Sequence, residues 1–342
     1  MVNLSYPLDW LTSSLVAAGA GILAAALILA LRPLLVRYAL ARPNARSSHV
    51  APTPQGAGAA VIAATFAVAG ALAAWSGALL APFPLGILAA ATLLIAVVGA
   101  VDDIRTIPVA PRLVLQAACI GLVLAALPAG FRIFPSWPPA AELALLLFAG
   151  LWFVNLVNFM DGLDWMTVAE IVPVTGALVL LGALGALPWQ AGIVSLALFG
   201  AMIGFAPFNK PVARLFLGDV GSLPIGLLLG WLLLMLAGNG NLAAAILLPL
   251  YYLADATITL VRRLVRREPI WQAHRTHFYQ RATDNGYSVM DVVTRVFALN
   301  LALAALATAT VTLRTAFAAA AALVLGALLV SWLLATFSRR RA

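Results

Sequence analysis

The chain has 342 residues, of which 64% are hydrophobic and 9% charged, with a mean hydropathy of +1.04 and a net charge of +8. Such a composition excludes an ordinary water-soluble domain. The single cysteine, Cys119, lies inside an apolar run, which excludes an internal disulfide and a cysteine-based metal centre.

Apolar runs long enough to cross a bilayer occur near 11–31, 57–80, 85–101, 113–129, 141–157, 169–187, 189–206, 222–238, 242–261, 293–312 and 316–337. The expected fold class is therefore all-α, a polytopic integral membrane protein with about eleven transmembrane helices. These Ala- and Leu-rich runs lack the alternation of a membrane β-barrel. No Lys or Arg precedes the first run, so it does not read as a cleavable signal, and the N-terminus is expected outside and the C-terminus in the cytoplasm. With eleven alternating spans, 18 of the 20 basic residues fall on one side and only Arg132 and Arg314 on the other. That split is what the positive-inside rule requires. The net charge then reflects topology and anionic lipid heads, and calls for no nucleic acid. No repeat or separate soluble domain interrupts residues 1–342, which read as one membrane domain with its chemistry in cytoplasmic loops near 40–58, 102–112, 158–168, 207–222 and 262–292.

The chain has twelve acids, and ten of them, all except Asp9 and Glu142, fall on or near the cytoplasmic side of this layout. Carboxylates near a membrane core are costly unless paired or hydrated, so their clustering suggests a charged cavity that holds a cation. The first loop, 42–59, is rich in Pro and Gly; alone it reads as a stiff basic connector whose glycines permit close approach at the next helix start. In the second, "VDDIRTIPVAPRLVLQ", the adjacent Asp102 and Asp103 suit an acid–base or metal role, or equally a helix cap beside Arg105 and Arg112. In the third, "NLVNFMDGLDWMT", Asn158, Asp161 and Asp164 have the i, i+3, i+6 spacing that puts them on one face of a helical end, with Gly162 permitting an unwound turn. In the fourth, "FNKPVARLFLGDVGS", Asp219 stands where an apolar helix begins. A carboxylate for Mg2+ and backbone N–H groups for phosphate would meet there, near Asn209, Lys210 and Arg214, and Phe216 offers a flat face to a base. In the fifth, 262–288, most arginines are explained by topology; His274, Arg275 and His277 suit phosphate contact better than zinc, and Asp255 in the preceding span is expected to pair with an arginine.

Together "SHVAPTPQGAG", "VDDIRTIPVAPRLVLQ", "NLVNFMDGLD", "RLFLGDVGS" and "RREPIWQAHRTHFYQR" resemble the polyprenyl-phosphate N-acetylhexosamine-1-phosphate transferases, the superfamily of MraY and WecA. The resemblance covers roughly residues 40–285, and the "AHRTHFYQR" tail is similar to the WbpL-like branch that starts O-antigen synthesis. It implies transfer of a sugar-1-phosphate from a UDP-N-acetylhexosamine to undecaprenyl phosphate, with release of UMP, dependence on Mg2+ (Mn2+ as a substitute), a bacterial inner-membrane location with the site facing the cytoplasm, and a homodimer as the oligomer to consider. By position it makes Asp219 the leading Mg2+ ligand, Phe216 the ring that stacks on uracil, and Asn158, Asp161 and Asp164 the lining of the nucleotide-sugar site. Asp102 becomes the group that orients or deprotonates the lipid phosphate, with Asp103 beside it. His49 falls near the uridine, and Arg275 and His277 reach the pyrophosphate. Trp165, Gln55, Ala57, Tyr279 and Gln280 depart from the family pattern. The bulk of Trp165 beside the site is expected to narrow the sugar pocket. A membrane transporter of phosphorylated metabolites and a non-catalytic envelope-assembly scaffold are the competing readings; the former should place its polar groups at the midplane with repeat symmetry.

Overall fold

A computed structural model describes residues 8–41, 52–76, 85–269 and 274–341. His49 lies outside the described residues. Helices account for nearly all of the structure: α1 Trp10–Tyr38, α2 Gly58–Trp75, α3 Leu85–Ile104, α4 Val109–Ala125, α5 Pro139–Met160, α6 Met166–Ala183, α7 Trp189–Phe205, α8 Asp219–Gly238, α9 Leu242–Leu247, α10 Leu250–Val265, α11 Phe278–Asp284, α12 Val289–Leu313 and α13 Ala316–Phe337. The chain is an all-α polytopic membrane protein.

Among the described residues, nine helices are long and apolar enough to cross a membrane, and α4 is a shorter apolar helix. The expected span at 242–261 is different. It is broken into α9 and α10 at Leu248 and Pro249, where Pro249 has no N–H to continue the first helix and takes a non-helical ψ of 17°. The second piece is two-sided: Tyr251, Tyr252, Asp255, Thr259 and Arg263 are buried, while Val261, Leu264 and Val265 are exposed.

α8 is the axis of the fold, with 89% of its apolar window buried, and α2, α3, α5 and α9 pack around it. Backbones come unusually close where it starts. A Cβ on Gly99 of α3 would lie 2.2 Å from the Asp219 carbonyl oxygen, and one on Gly58 of α2 would lie 2.1 Å from the Gly221 Cα. Small residues let helices in lipid approach in this way, because van der Waals contact is the main attraction available there. As the glycines of the first loop suggest, Gly58 serves close approach at the start of α2.

A two-stranded antiparallel ribbon, β1 Leu40–Ala41 and β2 Thr53–Pro54, closes the stem of the first loop. Phe216 extends it: its N–H donates to the Pro54 carbonyl at 2.8 Å, and its own carbonyl accepts from the N–H groups of Gly56 and Ala57 at 3.1 Å each. The entry to α8 is thereby stitched to the entry to α2.

Candidate active site

Four sequence-distant segments meet at the first turn of α8. Asn158, in the last turn of α5, donates from its amide to Asp219 Oδ1 at 2.7 Å and to Ser222 Oγ at 2.9 Å. Asp103, in the last turn of α3, accepts from the Asp219 and Val220 N–H groups at 3.0 and 3.1 Å. The next two amides of α8, those of Gly221 and Ser222, donate to the Gly218 carbonyl. The helix start is therefore already satisfied, and its free N–H groups are not the phosphate cradle that the sequence suggests: Asp103 supplies the anion that the helix end attracts. Asp102, beside it, accepts from the Ile107 N–H at 2.6 Å and from the Arg112 guanidinium at 2.7 Å. Of the two readings that the sequence leaves open for the pair, Asp103 shows the capping geometry, and Asp102 pairs with Arg112. Gln55 closes the corner by donating to the Asp103 carbonyl at 3.2 Å.

Asp102, Asp103 and Asp219 are close enough to repel one another. Three carboxylates against one guanidinium leave a surplus of negative charge. No group of three or more His, Cys, Asp or Glu side chains among the described residues forms a set that would enclose a metal by itself. Mg2+ does not need one, because it is commonly held by one or two carboxylates together with substrate phosphates and water. The donor set at Asp219 fits that mode of binding.

The 158–168 stretch is built differently from the face its spacing suggests. α5 ends at Met160, with Asp161 at the C-cap, so only Asn158 of the three polar residues remains on the helix. Asp161 accepts from the Thr167 hydroxyl. Asp164 is turned inward and accepts from the Ala213 N–H at 2.9 Å. Asn209 braces the same junction, accepting from the Trp165 N–H at 2.8 Å and donating to the Leu215 carbonyl at 3.1 Å. These residues hold the third and fourth loops together. The left-handed position here is Trp165 (φ 61°), not Gly162, and the indole Nε1 fixes it by donating to the Ala206 carbonyl at 2.6 Å. Gly162 is needed for space: a Cβ there would lie 2.2 Å from the Tyr279 hydroxyl.

Burial raises the Asp161 carboxyl to about 6, partly offset by the Thr167 hydrogen bond and reinforced by the charges of Asp103 and Asp164. A carboxyl with a folded value above its free value of 3.8 binds its proton more tightly when folded. Its contribution to stability is thus fully present below about pH 4 and is lost as pH rises through about 6. Asp161→Asn keeps an acceptor for Thr167 and removes this loss. In thermal unfolding with a chelator present, the Tm of the variant relative to the parent should increase from pH 5 to pH 7.5; a constant difference would contradict the assignment.

Phe216 is half-buried, with its backbone fixed by the ribbon. His277 is buried, and its Nδ1 lies 3.2 Å from Asp255. Asp255 therefore pairs with a histidine rather than the expected arginine, because α10 turns it toward the segment that precedes α11. Arg275 is directed at α11, at 3.0 Å from Thr283 Oγ1 and 3.4 Å from Asp284. Tyr279 ties that segment to the site by donating its hydroxyl to the Phe159 carbonyl at 2.9 Å. Thr167 is a contact that the sequence does not single out; a polar side chain near a known acid is the only signal it offers.

The class is thus an all-α membrane protein with a carboxylate-rich site where helix ends meet. Residues 85–237, a little under half of the chain, match the family model described as glycosyl transferase family 4. The chain's relatives include a decaprenyl-phosphate N-acetylglucosaminephosphotransferase of Mycolicibacterium smegmatis, 27% identical over 58% of this chain and 54% of that protein. A probable undecaprenyl-phosphate N-acetylglucosaminyl 1-phosphate transferase of Bacillus subtilis is 26% identical over 57% of each chain. A phospho-N-acetylmuramoyl-pentapeptide-transferase of Streptococcus pyogenes is 37% identical over 25% of this chain and 26% of that protein. The matched regions thus span between about a quarter and three-fifths of these relatives' lengths.

Proposed function

We propose that the protein transfers an N-acetylhexosamine-1-phosphate from a UDP-sugar to undecaprenyl phosphate at the cytoplasmic face of the bacterial inner membrane, releasing UMP. The observation that carries this reading is the convergence of Asn158, Asp102, Asp103 and Asp219 from three helix ends onto the start of α8. The relatives' activities on polyprenyl phosphates support the same reaction class.

A phosphate oxygen of the lipid attacks the β-phosphorus of the donor, the bond from that phosphorus to the bridging oxygen breaks, and UMP leaves with the bridging oxygen. The lipid phosphate is already a competent nucleophile, so no covalent aspartyl intermediate is required. Bound Mg2+, held by Asp219 with Asp102 nearby, would neutralise the phosphates of donor and acceptor. Asn158 fixes the rotamer of Asp219. Asp103 fixes the start of α8, so that a direct proton role for it would have to release two backbone amides. Asp102 is the better placed of the pair to orient the lipid phosphate, sharing Arg112 with it. Asp161 borders the donor site, Asp164 and Asn209 shape it, and Phe216 and His49 are assigned to the uridine, Arg275 and His277 to the pyrophosphate.

An apolar cavity of about 250 Å³ adds support for a lipid acceptor. It lies between α4, α5, α8 and the α9–α10 break, against Ile120, Phe153, Gly226, Trp231, Pro249 and Leu253. The tail motif "AHRTHFYQR" leads us to place the product at the start of O-antigen or a related envelope glycan. The transporter reading is less well supported, because the carboxylates gather at helix ends rather than on broken helices at mid-membrane.

Trp165 bears on sugar choice. Its indole spans from the α6 start to the Ala206 carbonyl, and glycine would adopt its left-handed backbone without cost while opening that space. Trp165→Gly should broaden the range of UDP-N-acetylhexosamines used; an unchanged donor profile would refute this role. The parent reaction is tested with detergent-purified protein, undecaprenyl phosphate, Mg2+ and a panel of UDP-N-acetylhexosamines and their 6-deoxy forms. UMP release that needs lipid, donor and metal together is the expected result. Release independent of the lipid would overturn the reading.

A further inference from the structure

Asp255 is fully buried on α10, and its carboxylate collects five hydrogen bonds. Oδ1 accepts from the Phe278 N–H at 3.0 Å, His277 Nδ1 at 3.2 Å and the Thr259 hydroxyl at 3.3 Å. Oδ2 accepts from the Tyr279 N–H at 3.1 Å and the Tyr251 hydroxyl at 3.2 Å. A carboxylate in such a ring of donors acts only as an acceptor. The proton of the neutral His277 ring must then sit on Nδ1, which leaves Nε2 as the ring atom open to another group.

The ring itself has little freedom. It is 2% exposed, with the rings of His274, Tyr279 and Phe159 centred 4.9, 5.8 and 6.4 Å away. The same carboxylate also holds the first amides of α11, whose Tyr279 hydroxyl reaches the Phe159 carbonyl one residue from Asn158. Asp255 thus connects α10, which borders the apolar cavity through Leu253, to the end of α5 that carries Asn158 and Asp161.

We propose that Asp255 is a positioning residue: it locks His277 as the Nδ1–H tautomer and seats the 277–279 segment so that Nε2 is presented to the donor's phosphates. The second half of this statement rests on the transferase reading above, and the first half does not. Carboxylates behind a metal-bound histidine set tautomer and orientation in the same manner, and their loss costs about 10- to 100-fold.

The test uses the full-length protein labelled with 15N-histidine in detergent, with long-range proton–nitrogen spectra and His277→Gln to assign the signal. The parent should show neutral His277 protonated on Nδ1. Asp255→Asn, whose amide would turn an N–H against a donor, should shift the ring toward the Nε2–H form and lower kcat/KM about 10- to 100-fold. Combined with His277→Gln it should lower activity no further than the worse single change, as expected for residues that act as a unit. Thr259→Val, which removes a neighbouring donor, should leave the tautomer as it is. An Nε2–H ring in the parent, or an unchanged tautomer in Asp255→Asn, would overturn the proposal, and the parent spectrum decides even if the variant does not fold. Absence of turnover with every donor, alongside an Nδ1–H ring lost in Asp255→Asn, would reject the transferase reading and leave the tautomer lock standing.

Discussion

Asp219→Asn should abolish UMP release, lowering the rate by at least about 10²- to 10³-fold, the range seen when a single preorganised electrostatic element is removed from an active site. The protein should remain folded. The carboxamide oxygen introduced at this position can still accept from the Asn158 amide, and removing one of three crowded carboxylates relieves repulsion from Asp102 and Asp103. Thermal stability without metal should therefore hold or rise while activity disappears. This combination separates a metal-holding carboxylate from a structural one, whose loss would lower both. A variant that keeps Mg2+-dependent turnover within a few-fold of the parent would remove Asp219 from the chemistry.

Gly99→Ala should damage both stability and activity without touching any group that carries charge. The added methyl would fall 2.2 Å from the Asp219 carbonyl oxygen and 2.7 Å from the Val220 nitrogen, all backbone atoms with no rotamer to change. α3 and α8 must then move apart, at a cost of about 1–3 kcal/mol for overpacking. Asp103 would lose its grip on the first turn of α8. A displacement of about 1 Å at a reacting centre costs about 100-fold in rate. Gly70→Ala, in α2, is the control: its methyl meets nothing within 4 Å and should leave rate and Tm close to the parent values. Equal behaviour of the two variants would contradict the close approach of α3 to α8.

Hydropathy alone makes most of the spans readable, because a helix in lipid must be apolar over its whole length. The break at Leu248 and Pro249 is the exception: one proline gives only a weak signal, and the polarity that follows is spread over Asp255, Arg262 and Arg263. The chemistry-bearing residues are likewise visible as acids where acids are rare. Their partners are not. Asp103 and Asp219 are 116 residues apart and Asn158 and Asp219 are 61 apart, so pairing of this kind is decided by how the helices pack. The i, i+3, i+6 spacing of Asn158, Asp161 and Asp164 misleads for a related reason: it assumes a helix that α5 does not continue past Met160. Asp255 shows the same limit, since an acid in an apolar run signals a partner without saying whether that partner is an arginine or a histidine.

The most direct test of the account follows the β-phosphate of the donor. UDP-N-acetylglucosamine and the other UDP-N-acetylhexosamines, labelled at that phosphorus, are incubated with the purified protein, undecaprenyl phosphate and Mg2+, and the products are partitioned between butanol and water. Label should enter the butanol phase with an equal amount of unlabelled UMP in the water, for at least one donor and not with Asp219→Asn. Sugar reaching the lipid while the label stays in water as UDP would mean that the sugar moves without its phosphate, and would contradict phosphoryl transfer at the α8 start.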